Sequence, residues 1–303
     1  MVLLGAQELL SMKFGVRINL FILFVISAHL CIGQTQLIEG IVYKTNSSQG
    51  LPYIAVGIKG TSRGTVTDLS GKFSINVLLS DSLVFSSVGF NLKIISANDF
   101  KSPFYLEEKV TELDEVIVKS KKSFRKVLVG NTKVKTNILF GGSNQYAFLI
   151  KNENSVRGLL EKLYFNIEPD INKNNLQITT IRIRVYSNQD NLPGKDLLSQ
   201  NVMVKIKKKA KNVNVDISNY SIEFPPEGLF IGIDLLGTHD QNDIFTPYNK
   251  SKTPLNLRIE FSEGASYLTY KKFFGTDWSI VTMPERNGTQ TKVSAKFGAK
   301  IIY

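Results

Sequence analysis

Histidine and cysteine, the residues most often used for nucleophilic relays and metal sites, number three in this 303-residue sequence: His29, His239 and Cys31. A hydrolytic zinc centre takes about three protein ligands, usually with histidine among them, and keeps one position open. With His239 as the one histidine beyond the N-terminal segment, that centre cannot be assembled. A Ser-His-Asp relay would have to use His239 as its base, and no Gly-x-Ser-x-Gly stretch is present to hold the serine. The polar stretch Asp234-Leu-Leu-Gly-Thr-His-Asp-Gln-Asn-Asp243 collects oxygen ligands of the kind calcium takes, but it departs from the EF-hand order and lacks its bidentate glutamate. It reads as a solvated loop capping its own backbone, with His239 in it. No carboxylate pair is marked by spacing. The expectation is a non-enzyme with no catalytic residue, no cofactor and no metal.

Binding chemistry is better represented. Lys205-Ile-Lys-Lys-Lys-Ala-Lys211 is the one dense basic run, and between two strands it would form a hairpin tip with Lys207, Lys208 and Lys209 at its crown. Such a tip suits an anionic glycan or lipid headgroup, although lysines there also serve to deter edge-to-edge strand pairing. Trp278, Tyr267 and Tyr270 are rigid aromatics that could stack on a sugar ring; strand alternation gives the competing expectation that they plug a core. The partner these residues imply is an envelope protein or a glycan. No aromatic-rich strand accompanies the lysines as in nucleic-acid platforms, so nucleic acid is not expected.

The N-terminus carries the three parts of a secretory signal: Lys13 and Arg17, an apolar run from Ile18 to Leu30, then small residues near Gly33. Residues 1–33 are expected to be a signal peptide cleaved after Gly33, with Met12 an alternative start. The apolar run is too short to span a hydrocarbon core of about 30 Å, so no transmembrane span is expected after cleavage. Cys31 raises lipidation, but Ala28-His-Leu30 lacks the small residue that should precede a lipidated cysteine. Export then gives a periplasmic, outer-membrane or cell-surface protein without a thiol. The formal net charge of +11 is spread along the chain and fits a basic exterior better than one dedicated anion site.

Short alternating runs separated by glycine-rich turns fill residues 34–118, the pattern of a small β-sandwich that folds alone. Gly60-Thr-Ser-Arg-Gly-Thr-Val-Thr-Asp-Leu-Ser-Gly-Lys-Phe-Ser-Ile75 predicts a β-hairpin, with Gly71 supplying a positive φ and Asp68 bonding its own backbone. The charged stretch Lys119 to Lys126 breaks the pattern, and residues 119–135 are expected to be a linker. Longer strands follow in 136–303: 146–151, 163–167, 178–186, 202–206, 213–217, 229–235, 255–261 and 292–301. These suggest a larger, antiparallel, jelly-roll-like sandwich.

Residues 60–75, together with Ile38-Glu-Gly-Ile-Val42, Leu51-Pro-Tyr-Ile-Ala-Val56, Leu83-Val-Phe-Ser-Ser-Val-Gly-Phe90 and Leu113-Asp-Glu-Val-Ile-Val118, resemble the carboxypeptidase-regulatory-like domain. That resemblance implies a transthyretin-like β-sandwich of the type common in exported Bacteroidetes proteins. Arg182-Ile-Arg-Val-Tyr186, Asn191 to Leu198, Asp216 to Ile222 and Leu229-Phe-Ile-Gly-Ile233 resemble a sandwich module attached to such domains and, more distantly, galactose-binding-like sandwiches. The same regulatory-like domain leads TonB-dependent outer-membrane transporters. About 185 residues follow Val118, fewer than a plug and large barrel need, so an accessory protein is expected. The resulting expectation is an all-β, non-catalytic, exported envelope protein acting as a binding or accessory module. The alternative is a carbohydrate-binding or adhesion protein with a lectin-like C-terminal sandwich; a hydrolase with an unrecognised carboxylate site is a third class.

Overall fold

A computed structural model describes residues 35–109, 125–131, 136–140, 145–169, 178–207, 210, 212–240, 242–247, 257–263, 268–284 and 288–303. The expectations at Cys31, Gly33, Leu113 to Val118, Lys208, Lys209 and Tyr267 lie outside these residues. The described chain is all-β, with one 3-10 turn at Ser218–Tyr220 and no α-helix.

The first sandwich contains β1 (Gln36–Lys44), β2 (Ala55–Ile58), β3 (Gly64–Val66), β4 (Lys72–Val77), β5 (Ser82–Ser86), β6 (Lys93–Ser96) and β7 (Phe104–Leu106). One sheet has the order β4-β1-β7 and the other β3-β2-β5-β6. Strand alternation makes the core directly. Phe73, Ile75 and Val77 of β4 point inward while Lys72, Ser74 and Asn76 face out, and Phe85 meets Phe73 edge-on at 5.7 Å and lies tilted against Phe104 at 4.3 Å.

The stretch 60–75 is not a hairpin. β3 pairs with β2, and β4 pairs with β1 in the other sheet, so the turn between them carries the chain across the sandwich. The tight turn itself is as expected: Asp68 Oδ1 accepts from the backbone N–H of Ser70 at 2.9 Å and of Lys72 at 2.8 Å. Gly71 has φ +84°, and a Cβ there would lie 2.7 Å from the Val42 carbonyl oxygen. Turn residues specify the local reversal but not which sheet receives the next strand.

The remaining strands are β8 (Lys126–Gly130), β9 (Thr136–Phe140), β10 (Gln145–Ile150), β11 (Gly158–Pro169), β12 (Ile178–Gln189) and β13 (Leu192–Asp196). They continue as β14 (Val202–Ile206), β15 (Asn212–Asp216), β16 (Glu223–Phe224), β17 (Leu229–His239), β18 (Phe245–Pro247) and β19 (Leu257–Glu263). Last come β20 (Thr269–Lys272), β21 (Ser279–Ile280), β22 (Thr282–Pro284), β23 (Gln290–Ala295) and β24 (Phe297–Ile302). One sheet runs β13-β12-β17-β10-β20-β21, with β14 on β12 and β18 on β17. The other runs β22-β23-β19-β11-β24-β8, with β15 and β16 on β11 and β9 on β19. β8 lies within the stretch expected as linker, yet it pairs with β24 from Lys126 to Gly130.

The main core lies between these two sheets. Ile181, Ile183 and Val185 of β12 and Leu229, Ile231, Ile233 and Leu235 of β17 face Leu163, Phe165 and Phe297 of the opposite sheet. β17 is buried at every position. Leu229, Ile231, Ile233 and Leu235 fill this core, whereas Phe230, Asp234 and Leu236 point the other way, and part of that outer face is covered by the first sandwich.

Candidate functional site

The outer face of the β12-β17-β10-β20 sheet carries a row of polar side chains in register. Arg182 of β12 lies opposite Asp234 of β17, Asp234 opposite Gln145 of β10, and Gln145 opposite Lys272 of β20. Arg182 and Asp234 are fully buried. Arg182 Nε donates to Asp234 Oδ2 at 2.8 Å, and Gln145 Nε2 donates to Asp234 Oδ1 at 2.7 Å. Arg184, two residues along and opposite Gly232, reaches the same carboxylate with Nη1 at 2.8 Å and pairs its Nε with Asp196 Oδ2 at 2.7 Å. Burial pushes the Asp234 carboxyl up, but Arg184 and Arg182 outweigh it and hold it below the usual range. Burial dominates at Asp196 and leaves its carboxyl raised despite Arg184.

Arg182 also ties the two sandwiches together. Its Nη1 donates to the Tyr53 carbonyl at 3.0 Å and to Ser87 Oγ at 2.9 Å, both in the first sandwich, and to Asn201 Oδ1 at 3.2 Å. Apolar contacts surround it. Ala55 and Val66 pack with Leu236, Phe245 and Phe274, and Tyr53 meets Phe245 edge-on at 5.1 Å. Val88, after β5, joins the main core of the second sandwich. Backbones touch as well: Gly60 N–H donates to the Gly275 carbonyl at 2.7 Å, and a Cβ on Gly275 would lie 2.0 Å from the Ile58 carbonyl oxygen.

Beside this contact lies a cavity of about 440 Å³ with walls from both sandwiches. Val88 and Lys109 come from the first, and Arg184, Tyr186, Lys272 and Trp278 from the second. Trp278 is half-buried; its ring meets Tyr186 edge-on at 5.5 Å, and Lys272 Nζ stands 4.6 Å from its centroid. The Arg184 guanidinium lies 5.0 Å from the Tyr186 ring centroid. The Tyr186 hydroxyl is buried without a hydrogen-bond partner among the described residues. Burial, with Arg184 adding repulsion, pulls the Lys272 ammonium down to about 8 although Asp234, Asp277 and Asp196 favour its charge.

The residues expected to contact a ligand separate in space. Trp278 lines the cavity. Tyr270 is buried with its ring edge-on to Phe230 at 5.6 Å, so it is core. Lys207 is exposed, but the basic run is not a hairpin tip: β14 pairs with β12 in one sheet and β15 with β11 in the other, and the run crosses between them. Asp234 and His239 are strand residues rather than loop residues. His239 is buried, with Nδ1 2.7 Å from Thr180 Oγ1 and its ring 5.1 Å from Phe245. The self-capped loop begins one residue later, where Asp240 Oδ1 accepts from the N–H of Asn242 and Ile244, each at 2.9 Å. Among the described residues no group of three histidine, cysteine, aspartate or glutamate side chains is placed to hold a metal.

None of Arg182, Arg184, Asp196, Asp234 and Lys272 was expected as a site residue: the first three appear in the sequence only within the module resemblance, and Asp234 only at the head of the polar stretch. The one signal that could have found them is Leu229-Phe-Ile-Gly-Ile-Asp-Leu-Leu236, a run too apolar for a strand with one wet face, which obliges Asp234 to find a buried cation.

Residues 38–118 match the family described as the CarboxypepD_reg-like domain, so the first sandwich is a regulatory-like domain of that family. Residues of this chain are 40% identical over 83 positions to the TonB-dependent receptor P26 of Formosa agariphila. That match takes in 27% of this chain and 8% of the receptor, so the chain spans a small fraction of the relative's length. Among solved structures, the infectious bursal disease virus VP2 subviral particle is similar with a TM-score of 0.26 at 10% identity, over 88% of this chain and 63% of that one. BcpA, the major pilin subunit of Bacillus cereus, has a TM-score of 0.15 at 10% identity, over 89% and 95%. Among the described residues no helix is long and apolar enough to cross a membrane.

Proposed function

We propose that this chain is a non-catalytic envelope protein in which the regulatory-like sandwich and the larger sandwich work as one docked unit, a binding or accessory module of an exported assembly. The observation that carries this reading is Arg182, which is held by Asp234 on its own sheet and donates across the junction to Tyr53 and Ser87. A domain used as a passive spacer would sit on a wet, polar contact, whereas here Arg182 and Asp234 are fully buried beside the apolar cluster of Ala55, Val66, Leu236, Phe245 and Phe274. The similarity of the first sandwich to part of a TonB-dependent receptor supports an envelope setting. The buried Asp234 and half-buried Asp196 at the junction are engaged by arginines, an arrangement that suits positioning rather than proton transfer.

Affinity capture with the tagged protein from its own envelope fraction tests the reading. Recovery of an envelope complex, with no turnover of peptide or glycoside substrates, supports it. A cytosolic distribution, or reproducible hydrolysis by the pure protein, overturns it. A second reading, carbohydrate binding, is favoured by one observation, the half-buried Trp278 on the cavity wall. Glycan-array binding by the whole chain that is lost in Trp278→Ala would select it.

A further inference from the structure

We propose that the cavity between the two sandwiches is a binding site for a small, singly charged organic carboxylate with a ring or apolar body, its anion held by Lys272 and its body lying against Trp278 and Tyr186. The inference rests on the reading of the junction as a binding unit and names the chemistry it takes.

Charge counting within the site leads there. Arg182 and Arg184 are balanced by Asp234 and Asp196, each within ion-pair distance. Lys272 faces Arg184, Asp234, Asp196 and Tyr186 across the sheet and Asp277 on the following turn, with Lys59 and Lys109 on the wall from the first sandwich. It forms no ion pair of its own among the described residues, and its ammonium is turned to the Trp278 ring. A half-buried lysine without a carboxylate in contact is costly, and a bound anion relieves that cost. Lys272 is the cation set against the Trp278 ring, and Asp277 beside it disfavours a second negative charge there, which favours a monoanion over a phosphate dianion; Lys59 and Lys109 add positive charge on the wall from the first sandwich. The volume of about 440 Å³ is that of small-molecule sites, and flat aromatic side chains beside a cation accommodate a ring bearing an acid group.

Trp278 is the sole tryptophan of the chain, so its emission reports the cavity directly. Titrating the whole protein at pH 7 with glucuronate and with benzoate, and with glucose, benzyl alcohol and inorganic phosphate as comparators, tests the site and separates a sugar acid from an aromatic acid. The expected result is a saturable change with at least one carboxylate, weaker by about tenfold or more for its neutral analogue and for phosphate. Affinity should fall as pH rises through about 8, where Lys272 loses its proton. Lys272→Met should abolish the response, Lys272→Arg should retain part of it, and Lys126→Met, on the edge strand β8 of the opposite sheet, should leave it unchanged. Equal binding of neutral analogues, undiminished binding by Lys272→Met, or no saturable response to either carboxylate would overturn the proposal. Envelope capture repeated with Lys272→Met distinguishes the two readings. Capture that persists without carboxylate binding in wild type would sink the ligand site alone, and carboxylate binding without capture would sink the envelope reading alone.

Discussion

The guanidinium of Arg182 donates to the backbone carbonyl of Tyr53 at 3.0 Å, across 129 positions of sequence and from one sandwich to the other. Because a carbonyl accepts whatever the side chain is, the contact depends on Tyr53's backbone position and not on its ring, so it reports domain placement. Replacing Arg182 with methionine removes this bond and leaves Asp234 with Arg184 and Gln145 as partners. The expected loss is about 3 kcal/mol, the low end for breaking a buried pair because one guanidinium remains. Chemical denaturation of wild type and Arg182→Met measures it, and a change below about 1 kcal/mol would show that the arginine is not holding the junction.

Gly275 tests the same contact from the backbone. A Cβ there would lie 2.0 Å from the Ile58 carbonyl oxygen, with no flexible side chain to yield. Gly275→Ala should therefore cost about 1 to 3 kcal/mol and increase protease cleavage between the sandwiches. Wild-type resistance and stability in this variant would mean the backbones are not in contact.

Gly71 is a local counterpart within the first sandwich. At φ +84°, with the Val42 carbonyl 2.7 Å from a would-be Cβ, a β-branched residue is strained twice over. Gly71→Val should lower stability by about 1 to 3 kcal/mol, and an unchanged melting temperature would refute the turn.

Two groups give opposite ends of a pH profile, and both have folded values below their ordinary ones. His239, depressed first by burial and then by Lys205, is held neutral against Thr180. The unfolded chain binds the proton more readily, so the contribution of His239 is complete above pH 6.5 and is lost as pH falls below it. Lys272, pulled from 10.5 to about 8, follows the same sign at higher pH: its charge burdens the folded state below about 8, and stability attributable to it rises between 8 and 10.5. Melting curves of wild type, His239→Gln and Lys272→Met from pH 5 to 10 should show the acid limb reduced in the first variant and the alkaline rise absent from the second. Parallel profiles in all three would remove both assignments.

The alternation of Lys72 to Val77 and the turn chemistry around Asp68 were legible because they depend on neighbours in sequence. The crossing of β3 and β4 into different sheets was not, since nothing within the turn encodes which strand is waiting. The candidate site was hidden for a related reason. Arg182-Ile-Arg184 looks like a strand with a solvated face until another domain covers that face, and only the apolar character of Leu229 to Leu236 on both sides of Asp234 hinted at the cover. Trp278 was visible as a binding residue by type alone, while Lys272, ordinary in sequence, acquires its chemistry from burial beside Arg184.

Calorimetry of the whole chain tests the docking of the two sandwiches most directly. Shared cores, with Val88 of the first sandwich inside the second and Arg182 of the second bonded to the first, require both to unfold together. The expected trace is a single transition whose calorimetric and van't Hoff enthalpies agree, and which moves as a whole to lower temperature in Arg182→Met. Two resolved transitions in wild type, with Arg182→Met leaving the upper one in place, would contradict the docking and the junction site built on it.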